Sequence, residues 1–183
     1  MSVEDHLRFT SIAEVYEAND RVRADLIALV EGLSDAEAAT LTEKGDWTVA
    51  GIVEHLAMAE EGMAKVAGHL LKKAEDAGVG SDGSLKISDE FKEKIKTWEQ
   101  TNGQAPEMVH PTGRSIAESL EMMAENRRHL SLLREKFEKV EGTELKFPHP
   151  AFGPLSAHDW LALIGGHESR HVEQIGRLLG SGS

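Results

Sequence analysis

The chain has 183 residues, enough for one hydrophobic core, and its 40% hydrophobic and 28% charged residues exclude disordered and fibrous classes. Acidic residues outnumber basic ones 32 to 20, and the formal charge of −12 sets nucleic acid and anionic membranes aside as partners. No apolar run approaches the roughly 20 residues of a spanning helix and no leader-like segment opens the chain, so the expectation is a cytoplasmic protein forming a single domain over residues 1–183; with no cysteine, any metal must take His, carboxylate or water.

Four stretches repeat apolar residues at helical spacing, and none of comparable strength alternates with period two, so the fold class is an all-α four-helix bundle. The first helix is expected from about His6 to Glu31 on Phe9, Ile12, Tyr16, Leu26 and Val30, closed by Gly32-Leu33-Ser34, with a short extra turn at Ser34-Asp35-Ala36-Glu37. The second begins after Thr48 as N-cap and runs to about Asp76, with Val49, Ile52, Leu56, Met63, Val66 and Leu70 inward and Gly78 and Gly80 ending it. The third opens at Ser115, whose Ser-Ile-Ala-Glu reads as a capping box, and carries Ile116, Leu120, Met123, Leu130 and Phe137 as far as Gly142. The fourth follows Phe152-Gly153-Pro154-Leu155-Ser156, with Ser156 as cap and Trp160, Ile164, Ile175 and Leu178 inward. Gly180-Ser181-Gly182-Ser183 is given no function. Between the second and third helices, residues 77–113 form a long crossover and candidate lid, with a short outer helix over Asp89–Gln100. A connection of that length can set sequential helices parallel.

Helical phase sorts the nine histidines. At 100° per residue, His167 and His171 fall within roughly 50° of the centre of the fourth helix's apolar stripe. Burying two imidazoles without partners costs roughly 1–3 kcal/mol, which a shared metal ion removes. Hydrogen bonds to backbone or carboxylate are the plainer alternative. His55 lies roughly 70° from the centre of the second helix's stripe, at the bundle seam, and completes a candidate three-histidine metal site. Three protein ligands leave positions open, the catalytic pattern rather than the closed structural one. His69, at roughly 110° and about 21 Å along the helix axis from His55, reads as solvated. His158 is placed on a polar face, and His6, His110, His129 and His149 on loops, an end or an outer face.

Residues 167–171 read His-Glu-Ser-Arg-His, a match to the H-E-x-x-H string of zinc proteases. Gln174 and Arg177 stand where a metzincin needs Gly and His, and only twelve residues follow His171, so those proteases are excluded. Glu168 remains the candidate catalytic acid or base, or else a solvated carboxylate. Arg127 on the third helix and Asn19 with Arg23 on the first phase inward and are candidate contacts to an anionic ligand, or else packed stems. Arg170 reads as structural, and Trp47, Trp160 and Phe152 as core or loop anchors.

Three segments together resemble the DinB-like superfamily: Trp47-Thr48-Val49-Ala50-Gly51-Ile52-Val53-Glu54-His55-Leu56, the loop from His149 to Leu155, and His167-Glu168-Ser169-Arg170-His171-Val172-Glu173-Gln174-Ile175, which fits the subgroup ending in H-x-x-R-H-x-x-Q-I. The resemblance implies a four-helix bundle, often a homodimer, with a divalent metal on His55, His167 and His171. Zinc or nickel is the leading choice, and iron or manganese the alternative. It implies a small-molecule substrate and a metal-dependent transferase or isomerase using a low-molecular-weight thiol such as mycothiol, bacillithiol or glutathione. A metal-dependent hydrolase of a small amide or ester, and a non-catalytic, stress-associated bundle stapled by its metal, are the other two readings.

Overall fold

A computed structural model describes residues 4–98 and 105–180. Its α-helices there are α1 (Ile12–Val30), α2 (Asp35–Ala38), α3 (Val49–Asp76), α4 (Asp89–Trp98), α5 (Ile116–Lys139) and α6 (Ala157–Leu178). The four long ones, α1, α3, α5 and α6, form the expected bundle. Serines cap α1, α2, α5 and α6 in reciprocal boxes with Glu14, Glu37, Glu118 and Asp159, and Thr48 caps α3 by accepting from the Gly51 amide at 3.0 Å. No helix among the described residues is long and apolar enough to cross a membrane.

Each long helix packs against two others, α1 and α3 both against α5 and α6. The contact order fixes the directions. Tyr16 donates to the Leu130 carbonyl while Arg23 reaches that of Met123, so α1 and α5 are antiparallel. Ala57 meets Asn126, Gly68 meets Leu133 and Glu75 meets Lys136, so α3 and α5 run parallel. The crossover permits this, because a hairpin would force them antiparallel.

The crossover is not a loose lid in its first half. Leu85, Ile87, Phe91 and Ile95 are buried in the core, the last two almost completely. Ser88 donates its amide and hydroxyl to Asp159 at 2.8 and 3.0 Å, and the Lys86 amide reaches His158 Nδ1 at 3.2 Å. The outer helix therefore buries its apolar stripe against the bundle. Its last two expected residues, Glu99 and Gln100, lie outside the described set, as do residues 181–183.

Three further expectations are corrected. The first helix begins at Ile12, because Ser11 caps it; Glu4–Leu7 form a separate 3-10 turn that buries His6. His158 is 1% exposed rather than on a polar face, because the crossover covers that side of α6. Two short antiparallel strands, β1 (Lys146–His149) and β2 (Gly153–Ser156), form a hairpin before α6. Four residues each, with Pro148 and Pro154 paired across them, are too few to show alternation.

Candidate metal centre

Three side chains meet near the start of α3 and the C-terminal half of α6. His55 stands in the second turn of α3, and the i, i+4 pair His167 and His171 shares one face of α6. One donor nitrogen from each lies within 4.8 Å of the others, and these residues form the metal-capable cluster among the described residues. Their ring centroids are 4.7–5.3 Å apart. His69 is exposed on α3 and takes no part.

The ring nitrogens are not equivalent. His55 Nδ1 lies 2.9 Å from the Val109 carbonyl, an acceptor only, so that nitrogen carries the proton and Nε2 keeps its lone pair. His171 Nδ1 likewise faces Gln174 Oε1 at 2.7 Å. His55 Nε2 stands 3.2 Å from His167 Nε2. Nitrogens bound at about 2.0–2.1 Å to a tetrahedral ion stand about 3.3 Å apart, so this pair already has the spacing of two ligands on one zinc-like ion. A histidine that hands its other N–H to an oxygen acceptor is the usual arrangement of a metal ligand.

Burial favours the neutral form of all three rings. It holds His55 below the ordinary histidine range; it drives His167 well below that range, with His171 and His55 adding to the effect; and it lowers His171 to about 3. Neutral imidazole is the metal-binding form. Trp47, the first residue of the segment that carries the family resemblance, tilts against His55 at 4.8 Å between ring centroids, while exposed His110 stands edge-on to Trp47.

Glu168 does not point freely into this group. It is 2% exposed, which removes the solvated reading, and both oxygens are engaged: Oε1 accepts from Arg23 Nε at 2.5 Å, Oε2 from Arg23 Nη2 at 3.2 Å and Arg127 Nη2 at 3.3 Å. Arg23 also donates to the Met123 carbonyl at 3.1 Å and to Glu60 at 2.8 Å, and Arg127 pairs with Glu60 at 3.3 Å. The two arginines expected to meet an anionic ligand both hold internal carboxylates. Asn19 is buried beside them, its side chain pressed against α6 at Gly165. Trp160 and Phe152 are core anchors, as expected.

Glu54, Glu60, Gln174 and Val109 also bear on the site, and none of them stands out from the sequence alone. Glu54 and Glu60 are acids on the inner side of α3, and matching them to inward-phased arginines and to the crossover would have flagged both. Gln174 sits one turn beyond His171. Val109 acts through its carbonyl, for which no side-chain signal exists.

The site and fold together define a four-helix bundle with an open group of three histidines able to hold a metal ion. The chain belongs to the DinB superfamily, which residues 18–175 match. It is 24% identical over 152 residues to the uncharacterized protein YuaE of Bacillus subtilis (strain 168), covering 80% of this chain and 85% of that one. Two solved structures share the fold. The four-helix bundle protein TT2238 superposes with a TM-score of 0.60 at 21% identity, over 89% of this chain and 96% of that one. YfiT from Bacillus subtilis, described as a probable metal-dependent hydrolase with an unusual four-helix bundle topology, gives 0.58 at 20% identity, over 91% and 85%.

Proposed function

We propose that this protein is a divalent-metal-dependent enzyme that activates a low-molecular-weight thiol toward a small electrophile, as a transferase or isomerase. His55, His167 and His171 would hold the ion. Zinc or nickel there supplies Lewis acidity, lowering the pKa of a coordinated thiol so that the thiolate is available near neutral pH. The chain's own residues present neutral donors, orient them through Val109 and Gln174, and shield His55 behind Trp47.

The engagement of Glu168 carries the choice of nucleophile. Activating water calls for a base to take its proton, and the carboxylate beside the ligands is committed to Arg23 and Arg127. A bound metal ion brings water itself to a pKa of about 7, but a thiol starts at about 8.5 and its thiolate attacks without a protein base to relay protons. Zinc- and nickel-loaded protein screened against mycothiol, bacillithiol and glutathione, with aryl halides and epoxides as electrophiles, tests this. Thiol-dependent turnover lost in His171→Ala supports the reading, and absence of thiol binding or reaction across the panel overturns it.

A hydrolase of small esters or amides is the second reading, favoured by the description of YfiT as a probable metal-dependent hydrolase. It predicts turnover without thiol that falls in Glu168→Gln, whereas the first reading predicts none.

A further inference from the structure

The last part of the crossover, residues 109–114, lies across one face of α3 at three successive contacts. Gly51, Glu54 and His55 stand at i, i+3 and i+4, so they share that face. Gly51 receives Pro111; a Cβ at Gly51 would stand 3.3 Å from the proline Cγ, so a larger side chain would push the segment outward. Glu54 receives the next three residues. Its Oε2 accepts the amides of Thr112, Gly113 and Arg114 at 2.9, 2.9 and 3.0 Å, and its Oε1 accepts the Thr112 hydroxyl at 2.7 Å. Gly113, at φ +107°, supplies the backbone bend that turns consecutive amides toward one carboxylate. His55 receives Val109, through the 2.9 Å contact from its Nδ1.

These contacts bear unequally on the segment. Thr112, Gly113 and Arg114 are exposed, whereas Glu54 beneath them is 0% exposed. A buried carboxylate that lost four donors would carry a large desolvation cost, so segment and carboxylate hold one another. The Val109 carbonyl that faces His55 lies three residues before the first clamped residue, Thr112, on the same stretch of chain.

We propose that Glu54 is a positioning residue for the metal centre: it straps residues 109–114 to α3, so that the Val109 carbonyl fixes the tautomer and ring orientation of His55. This rests on the reading of His55, His167 and His171 as metal ligands. Partners that orient a ligating histidine typically contribute 10–100-fold in metal affinity. Glu54→Ala therefore weakens zinc binding by about that factor. Glu54→Gln keeps an oxygen for the three amides and an amide to donate to the Thr112 hydroxyl, so it stays close to the parent protein.

The experiment pairs two readouts on the full chain: zinc affinity by chelator competition, and imidazole nitrogen NMR of the metal-free protein, which reports the His55 tautomer without any metal. The parent protein, Glu54→Ala, Glu54→Gln, Thr112→Val and the His171→Ala control are compared. Weakened zinc binding in Glu54→Ala, with His55 passing from one Nδ1-protonated tautomer to a mixture and Glu54→Gln restoring both, supports the strap. Parent-like affinity in Glu54→Ala, or weaker binding with an unchanged His55 tautomer, overturns it. If the parent binds no zinc, the metal reading fails, and the tautomer readout still decides the strap in the same direction. Should Glu54→Ala not fold, Thr112→Val removes one of the four hydrogen bonds: a partial shift of the His55 signal supports the strap, and none overturns it.

Discussion

Arg23 Nε and Glu168 Oε1 meet at 2.5 Å in the bundle core, both side chains under a tenth exposed. The pair ties α1 to α6 between the two α6 histidines, and Glu60 brings α3 into the same cluster. Removing one partner of a buried pair strands the other charge, at a cost of about 3–5 kcal/mol. Arg23→Met should lose that much in denaturant unfolding. The Arg23→Met/Glu168→Gln double variant should recover part of it, since one stranded carboxylate is neutralised; a loss under about 1 kcal/mol in the single variant would contradict the cluster's role.

Gly165 sits where Asn19 approaches α6 most closely. A Cβ there would fall 1.9 Å from Asn19 Oδ1 and 2.6 Å from His6 Nε2, both on fully buried side chains. Gly165→Ala improves helix propensity by about 1 kcal/mol, but overpacking costs about 1–3 kcal/mol or more. A net fall in melting temperature is expected, and Gly165→Ala/Asn19→Gly should relieve it only in part, since the contact with His6 remains.

How far the sequence carried this picture depends on the kind of signal. Thr48, Ser115 and Ser156 announced their helix starts because a cap needs only residues within a few positions, and the phase of His55, His167 and His171 was readable on each helix separately. Arg23 and Arg127 phase inward on their own helices, yet their partners do not show in the sequence, since Glu60 and Glu168 lie on other helices and the pairing exists only once these pack. The burial of His158 is hidden from the sequence for a related reason: its side of α6 looks polar until Lys86 and Ser88 of the crossover cover it. The hairpin of Lys146–His149 with Gly153–Ser156 is held by backbone bonds over four residues, leaving little trace in side-chain pattern.

The buried stripe of α4 gives a direct test of the crossover. Phe91 is 1% exposed and meets Phe152 edge-on at 5.4 Å between centroids. Phe91→Ala should destabilise the protein by about 3–5 kcal/mol, as for a core phenylalanine. A mobile lid would give a change near zero in the same unfolding measurement.

Stability should fall as the solution is acidified through the histidine range. Burial lowers His149 to about 4 in the folded chain, while the unfolded chain titrates near the ordinary 6.5. Between these values the unfolded state binds the proton and the folded state does not, so stability is full above about 6.5, declines as pH drops toward about 4, and this contribution levels off below. His158 is shifted the same way by burial. In His149→Asn, the slope of unfolding free energy against pH over that window should be shallower than in the parent; an equal slope would contradict the assignment to His149.

The proposed function requires that His55, His167 and His171 hold one metal ion together. Equilibrium dialysis against zinc and nickel, followed by elemental analysis of the parent and the three single alanine variants, tests it most directly. One ion per parent chain is expected, with occupancy lost in each variant while helical content is retained. A parent that takes up neither metal, or single variants that keep their ion, would contradict it.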